Sequence, residues 1–369
     1  MSEAAATYES NRRIRWFRPK IDRGELTALS RRSNFRGFIQ AIGHLGLWGM
    51  TGTLAYVAFR HVSTSNWLWT VPLLYLALFA HGSVGGFMGG ASCHELAHRT
   101  VFKTRALNDF FLAIFAFFSW WNHIWFRPSH IKHHQHTTFH GHDGEVVLPQ
   151  ELGIKQWQFL AELFAWNPLN TWRVIKENWH RAMGRMDNEW YAFCLPESNR
   201  VLRRQHQNRA RRLLAGHVLL AVIFIVTGHW FLIFIVNFGT QYCVLLTGLC
   251  GMPQHFGMQP DVADHRLCCR TYITRGLPAF LYWNMQYHAE HHMFPSVPFF
   301  NLPKLRKAIE HEMPPATRGL WETWAHMLEV RRKQQADPSW FYVPELPEQT
   351  AGEQASDLEL EREASGAVA

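Results

Sequence analysis

Histidine is the residue type with chemical potential in this chain. Among its 23 histidines, His94 and His98 form an HxxxH pair, His130, His133 and His134 form HxxHH, and His288, His291 and His292 form a second HxxHH. Residues i, i+3 and i+4 lie on one face of a helix, so each cluster can aim its imidazoles at one point. Imidazole suits iron, zinc, copper and nickel. A zinc ion uses about four ligands, usually three from protein when it is catalytic. Three clusters exceed what one zinc can use. Thiolate partners are missing as well: Cys93, Cys194, Cys243, Cys250, Cys268 and Cys269 form no CxxC pair and read as small apolar fillers. Two six-coordinate metals with open positions for a diatomic ligand would use the histidines, and a pair of irons is the best match.

The elements that must position these side chains are written in the hydropathy. The chain has 369 residues, 47% hydrophobic and only 18% charged, against roughly 25% charged in an ordinary soluble domain. That composition excludes a disordered polar chain and a small disulfide scaffold. No Asp, Glu, Lys or Arg occurs from Gly37 to Phe59, from His61 to His94, or from Leu213 to Pro260. A spanning helix needs about 20 mostly apolar residues. The pattern predicts an all-α integral membrane protein with four transmembrane helices in two hairpins, at about 38–59, 67–90, 213–227 and 230–250. The last block divides at Thr227-Gly228-His229 because it is too long for one crossing. A cytosolic helical cap, 91–212 and 251–310, carries the metal site. The membrane domain thus covers 37–310, between a basic cytosolic segment, 1–36, and a C-terminal one, 311–343. The acidic tail, 344–369, has no apolar face and is expected to be disordered.

Orientation follows from the basic residues beside the spans. Arg12, Arg13, Arg15, Arg18, Lys20, Arg23, Arg31, Arg32 and Arg36 precede the first span, and Arg200, Arg203, Arg204, Arg209, Arg211 and Arg212 precede the third. The outer turns carry almost none. Both termini and all three clusters are therefore expected on the cytoplasmic side, as in a bacterial inner-membrane protein. The formal charge of +8 is mostly this signal, which leaves nucleic-acid binding without support. The first apolar stretch begins late and is too long for a cleavable signal. For the clusters to meet, the uncharged stretch Phe110 to Phe126 must not cross the bilayer. It reads as re-entrant or interfacial, with Trp120, Trp121 and Trp125 at headgroup level. The segment Ile154 to Met183, rich in Trp and Phe, reads as interfacial helices of the cap.

The three boxes, His94-Glu95-Leu96-Ala97-His98-Arg99-Thr100, His130-Ile131-Lys132-His133-His134 and His288-Ala289-Glu290-His291-His292, resemble those of the histidine-box membrane fatty acid desaturases and hydroxylases. Phe294-Pro295-Ser296-Val297-Pro298 and Asn301-Leu302-Pro303-Lys304-Leu305 look like that family's sequel to its third box, and the likeness runs over roughly 38–310. The resemblance implies four spans, a cytosolic cap holding two iron ions, and O2 as co-substrate. It also implies a further ligand upstream of the third box, for which His255 is the match. Some relatives carry Asn four residues before that histidine. Here the position is Gly251, while Asn284 precedes His288 by the same interval. Glu95, Asp143, Asp264 and Glu290 are candidates to orient ligand imidazoles, since a metal-bound His usually donates its other N–H to a carboxylate or carbonyl.

The implied reaction is O2-dependent introduction of a double bond into an acyl chain. The alternative is hydroxylation of a lipid, carotenoid or terpenoid by the same metal pair. A distant alternative is an intramembrane zinc protease, because His94-Glu95-Leu96-Ala97-His98 matches HExxH, although the two HxxHH clusters would then have no role. A metal transporter would need ionisable residues along a path through the spans, which offer only His44, His81, His217 and His229. The implied oxygenase needs electrons from outside. No haem, iron–sulfur or Rossmann motif is present, so a separate ferredoxin or cytochrome is the expected partner, steered by Arg127, Lys132, Arg266 and Arg270. Lipid phosphates are equally suited to these cations.

Overall fold

The structure is a computed structural model, and it describes residues 8, 13–150, 157–186 and 188–348. Nearly all regular structure is helical. After a short α1 (Arg23–Leu29) come α2 (Asn34–Arg60) and α3 (Trp67–Ala97), a hairpin joined by the turn around Ser63 to Asn66. Ser33 caps α2 by accepting from the Arg36 N–H, which anchors the helix start where the basic segment ends. At 27 residues, α2 is about 40 Å long. Asn34 Nδ2 donates to Thr104 Oγ1 at 2.9 Å, so the start of α2 lies level with the chain just beyond the first box.

Near its end α3 widens into a π-helical turn, Met88–Cys93. Its Met-Gly-Gly-Ala-Ser-Cys sequence leaves room for neighbours: a Cβ on Gly89 would lie 3.1 Å from the Trp121 ring. A π turn rotates the helix face, a device common at functional sites, and the first box follows directly.

The stretch Phe110 to Phe126 is not one helix. α4 (Arg105–Phe118) has 14 residues, about 21 Å, well under the hydrocarbon thickness of about 30 Å. The chain then turns through Trp120, at φ 59°, into α5 (His123–His136), which carries the second box. Next come α6 (Trp157–Phe164), α7 (Pro168–Ala182) and α8 (Glu189–Cys194). α9 (Arg200–Val226) follows, capped by Asn199.

The fourth expected span, 230–250, is not one continuous helix. It contains a π turn, Ile233–Asn237, then irregular chain, and then α10 (Leu245–Gly251). The physical reason lies in Asn237 and Gly239. Asn237 donates to the His217 carbonyl and accepts from Trp120 Nε1 through its own carbonyl. A Cβ on Gly239 would sit 2.1 Å from the Ile235 carbonyl and 2.6 Å from His81 Nε2. The backbone is pulled out of helix to meet these neighbours. Among the described residues, Trp67–Ala97 is the one helix with both the length and the apolarity to cross a membrane.

α11 (His288–Met293) carries the third box; α12 (Leu302–Ala308) and α13 (Gly319–Ala336) complete the chain. Two short parallel strands, β1 (Tyr272–Ile273) and β2 (Thr317–Arg318), tie the C-terminal segment to the chain just before the third box. The core is centred on Trp283, which is fully buried against Phe115, Phe299 and His44. Residues 349–369, most of the expected acidic tail, lie outside the described residues.

Candidate metal centre

The boxes lie far apart in sequence, yet their imidazoles meet in two groups. His94, His98, His130, His134 and His291 form one, and His133, His255, His288 and His292 the other; within each group the ligand atoms lie within 4.8 Å of one another. Each HxxHH box therefore serves both groups. His130 and His134 point to the first while His133 points to the second, and His291 faces the first while His288 and His292 face the second. All nine side chains singled out from the sequence are brought together.

Eight of the nine imidazoles meet through their Nε2 atoms. His130 Nε2 lies 3.1 Å from that of His94, 3.0 Å from that of His98 and 3.0 Å from that of His134. His291 Nε2 is 2.7 Å from that of His94 and 3.1 Å from that of His98. In the second group His288 Nε2 is 2.9 Å from His255 and 3.1 Å from His292. One ring nitrogen carries either a single N–H or a single lone pair, so these contacts cannot all be hydrogen bonds. A metal resolves them. At a metal–imidazole bond of about 2.1 Å, ligands at right angles are about 3.0 Å apart and tetrahedral ones about 3.4 Å. The observed spacing fits right angles, and the donor set fits two iron ions.

The opposite ring edges fix the tautomers. His130 Nδ1 meets Glu145 Oε1 at 2.8 Å, and the same carboxylate accepts from Ser129 Oγ at 2.8 Å. His133 Nδ1 meets Asp143 Oδ2 at 2.7 Å, and Asp143 is itself held by the backbone N–H groups of Thr138, Glu145 and Val146. His255 donates from Nδ1 to the Cys268 carbonyl at 2.8 Å. His292 Nδ1 lies 3.1 Å from Thr137 Oγ1. With Nδ1 facing a carboxylate or carbonyl, Nε2 offers its lone pair inward. Glu95 comes within 3.3 Å of His291 Nδ1, without hydrogen-bond geometry.

Electrostatics point the same way. Burial, reinforced by neighbouring imidazoles, holds His98, His134, His288, His291 and His292 well below the usual imidazole value. His255 is pushed down to about 3, again by burial first. Neutral imidazoles are the form that binds metal. His133 is the exception: burial alone would lower it, but the Asp143 carboxylate and its hydrogen bond raise it. Burial would raise Glu145, yet His130, His133 and Ser129 hold it at about 2.

Several sequence-based assignments are redirected. Glu290, expected beside an imidazole, accepts instead from Arg306 at 2.9 Å and Thr271 at 2.5 Å, because its side chain leaves α11 on the side away from the histidines. Asn284, at φ 54°, donates to the Phe299 carbonyl at 3.2 Å and shapes a turn. Asp264 caps the turn of helix beginning at His265 and pairs with Arg266. Arg266 and Arg270, expected to steer an electron donor, are buried: Arg266 is spent on Asp264, and Arg270 donates to the Pro253 and Phe256 carbonyls. Arg127 is paired with Asp109, and Lys132 sits over the Phe193 ring. Glu145 and Thr137, by contrast, were not anticipated from the sequence. The cluster His142-Asp143-Gly144-Glu145 just after the second box was the available signal.

A cavity of about 680 Å³ reaches His98, His134 and His292 from outside, with Arg13, Trp16 and Arg18 on its wall. Both groups therefore have one approach in common. A comparison with curated proteins finds no match. A model of the protein family described as fatty acid desaturase matches residues 65–324, a stretch that contains every one of the nine histidines. The chain belongs to the fatty acid desaturase family.

Proposed function

We propose that this protein is a membrane-embedded di-iron oxygenase that introduces a double bond into an acyl chain, using O2 and two electrons from a separate carrier. The observation that carries the reading is the convergence of nine imidazoles into two groups, with right-angle spacing where their Nε2 atoms meet. Family membership supports oxidoreductase chemistry on a lipid. Bound in the two groups, a pair of irons would supply activation of O2 and removal of hydrogen from an unactivated C–H bond. The chain's own part is to keep most of the imidazoles neutral and to fix tautomers through Glu145 and Asp143.

Membrane embedding is supported by the apolar side chains that the helices turn outward. Ile39, Ile42, Met50, Leu54 and Val57 of α2, Leu68, Leu73 and Leu76 of α3, and Val218, Leu219, Val222 and Val226 of α9 are all exposed. Such contiguous apolar surface marks contact with lipid or another protein. In the proposed topology both termini and the metal groups face the cytoplasm, and the wide cavity beside Arg13 and Arg18 receives the electron carrier. A zinc-protease reading is disfavoured by Glu95, which is fully buried and faces His291 rather than a water position. Mass spectrometry of lipids from a host of defined composition tests the reading. New unsaturated chains that vanish with His291→Ala support it; hydroxylated chains, or no change, contradict the desaturation.

A further inference from the structure

Residues 13–22 have neither helix nor strand, yet they are fastened along one wall of the large cavity. The fastenings are scattered. Trp16 Nε1 donates to the Gln135 carbonyl at 3.1 Å, the Phe17 N–H to the Ala263 carbonyl at 2.9 Å and the Lys20 N–H to Glu312 at 2.7 Å. The Arg266 guanidinium lies over the Phe17 ring at 3.4 Å. From this strap Arg13, Trp16 and Arg18 line the cavity of about 680 Å³, and His98, His134 and His292 line it from the metal side.

The two imidazole groups differ in cover. His98 and His134 of the first are half-buried, whereas all four histidines of the second are buried, and of those four His292 alone lines the cavity. Beside His292 stands His265, 2% exposed, its ring 5.3 Å from that of His292. Neither ring nitrogen of His265 has a hydrogen-bond partner, so packing sets the position of the ring. Trp16 supplies that packing. Its ring stacks on His265 at 3.8 Å and 12°, and meets Phe139 edge-on at 5.8 Å. A series of ring contacts thus runs from a half-buried side chain on the strap, through His265, to the second group. A segment outside regular structure opens at less cost than a packed helix. When this one leaves, it takes with it Trp16 and the positive charges of Arg13 and Arg18, which otherwise repel a cation in the cavity.

We propose that the strap is a lid on the second imidazole group, closed by Trp16 on His265, and that its opening governs the passage of metal ions into and out of that group. The inference rests on the di-iron reading for the metal. Release of ferrous iron from the reduced, detergent-purified holoprotein to ferrozine, a hydrophilic chelator, provides the test. Wild type is expected to release iron in two phases, the slower from the second group. Trp16→Ala quickens the slow phase several-fold, at a rate that rises with ferrozine concentration, and leaves the fast phase as it was. Trp16→Phe keeps a ring over His265 and stays near wild type. A single phase in wild type, or a slow phase that Trp16→Ala leaves unchanged, would overturn the lid. So would a rate independent of ferrozine, as in release by unfolding, or equal acceleration of both phases. The lid can also be locked. A thioether crosslink between Phe17→Cys and Ala263→Cys retards the slow phase, judged against the same chain before crosslinking; the six native cysteines are buried and do not compete. No retardation would overturn the proposal even if Trp16→Ala did not fold. Protein that holds no iron would refute the di-iron reading itself, whereas two irons whose release ignores both Trp16 and the crosslink would refute the lid alone.

Discussion

Single carboxylates near the histidines have separable jobs. Glu145 and Asp143 touch ligand imidazoles, whereas Glu290, adjacent to His291 in sequence, holds Arg306. Glu145→Gln and Asp143→Asn are expected to weaken iron retention about 10–100-fold, read as iron per folded chain during chelator challenge. Glu290→Gln leaves a buried guanidinium short of its partner and should cost about 3–5 kcal/mol of stability, seen as a lower Tm with little change in iron retention per folded chain. The difference was only partly legible beforehand. Spacing identifies which imidazoles share a face, but a carboxylate's direction depends on packing, and here α12 supplies the arginine that claims Glu290. The histidines also set a pH dependence. His98, His134, His288, His291 and His292 are held well below the unfolded value of about 6.5 and His255 at about 3, with His133 raised against this majority. The unfolded chain therefore binds more protons once the pH falls below about 6.5, and stability is lost from there downward. Each such imidazole costs up to about 1.4 kcal/mol per pH unit. Metal-free protein should thus show a Tm that falls steeply between pH 7 and 5; an unchanged Tm across that range contradicts the burial.

At the level of elements, the departures from sequence expectation share a cause. Hydropathy locates α2, α3 and the second half of α9 because each carries a long run without a charged residue. The stretch after Trp230 is just as apolar, yet it is broken where Gly239 lets the backbone approach His81 and where Asn237 knits to Trp120 and His217. Those contacts come from distant parts of the chain, and no local pattern contains them. The histidines once considered as a path through the spans are likewise structural: His81 bonds Thr51 and the Ile235 carbonyl, and His217 bonds the Phe117 carbonyl. Gly239→Ala should force the backbone apart and cost about 1–3 kcal/mol, measured as a drop in Tm. Gly46→Ala, on α2 with open space around its Cα, should be neutral or slightly stabilising by comparison. The short α4 was easier to foresee, since three boxes can meet only if Phe110 to Phe126 stays on one side.

For the whole molecule, the proposed reading sets helices with outward apolar faces beside two buried histidine groups. Its topology predicts that a cysteine introduced at Ser65, in the turn between α2 and α3, reacts with a membrane-impermeant reagent from outside intact cells. One at Arg331, on α13, should react only after the membrane is opened; the reverse pattern would invert the orientation. The most direct measurement is the metal content of the purified protein, wild type beside His98→Ala and His288→Ala, one from each group. The account predicts about two irons per chain in the wild type and a marked loss in both variants. A single zinc that survives His288→Ala, or no bound metal in the intact protein, would contradict it.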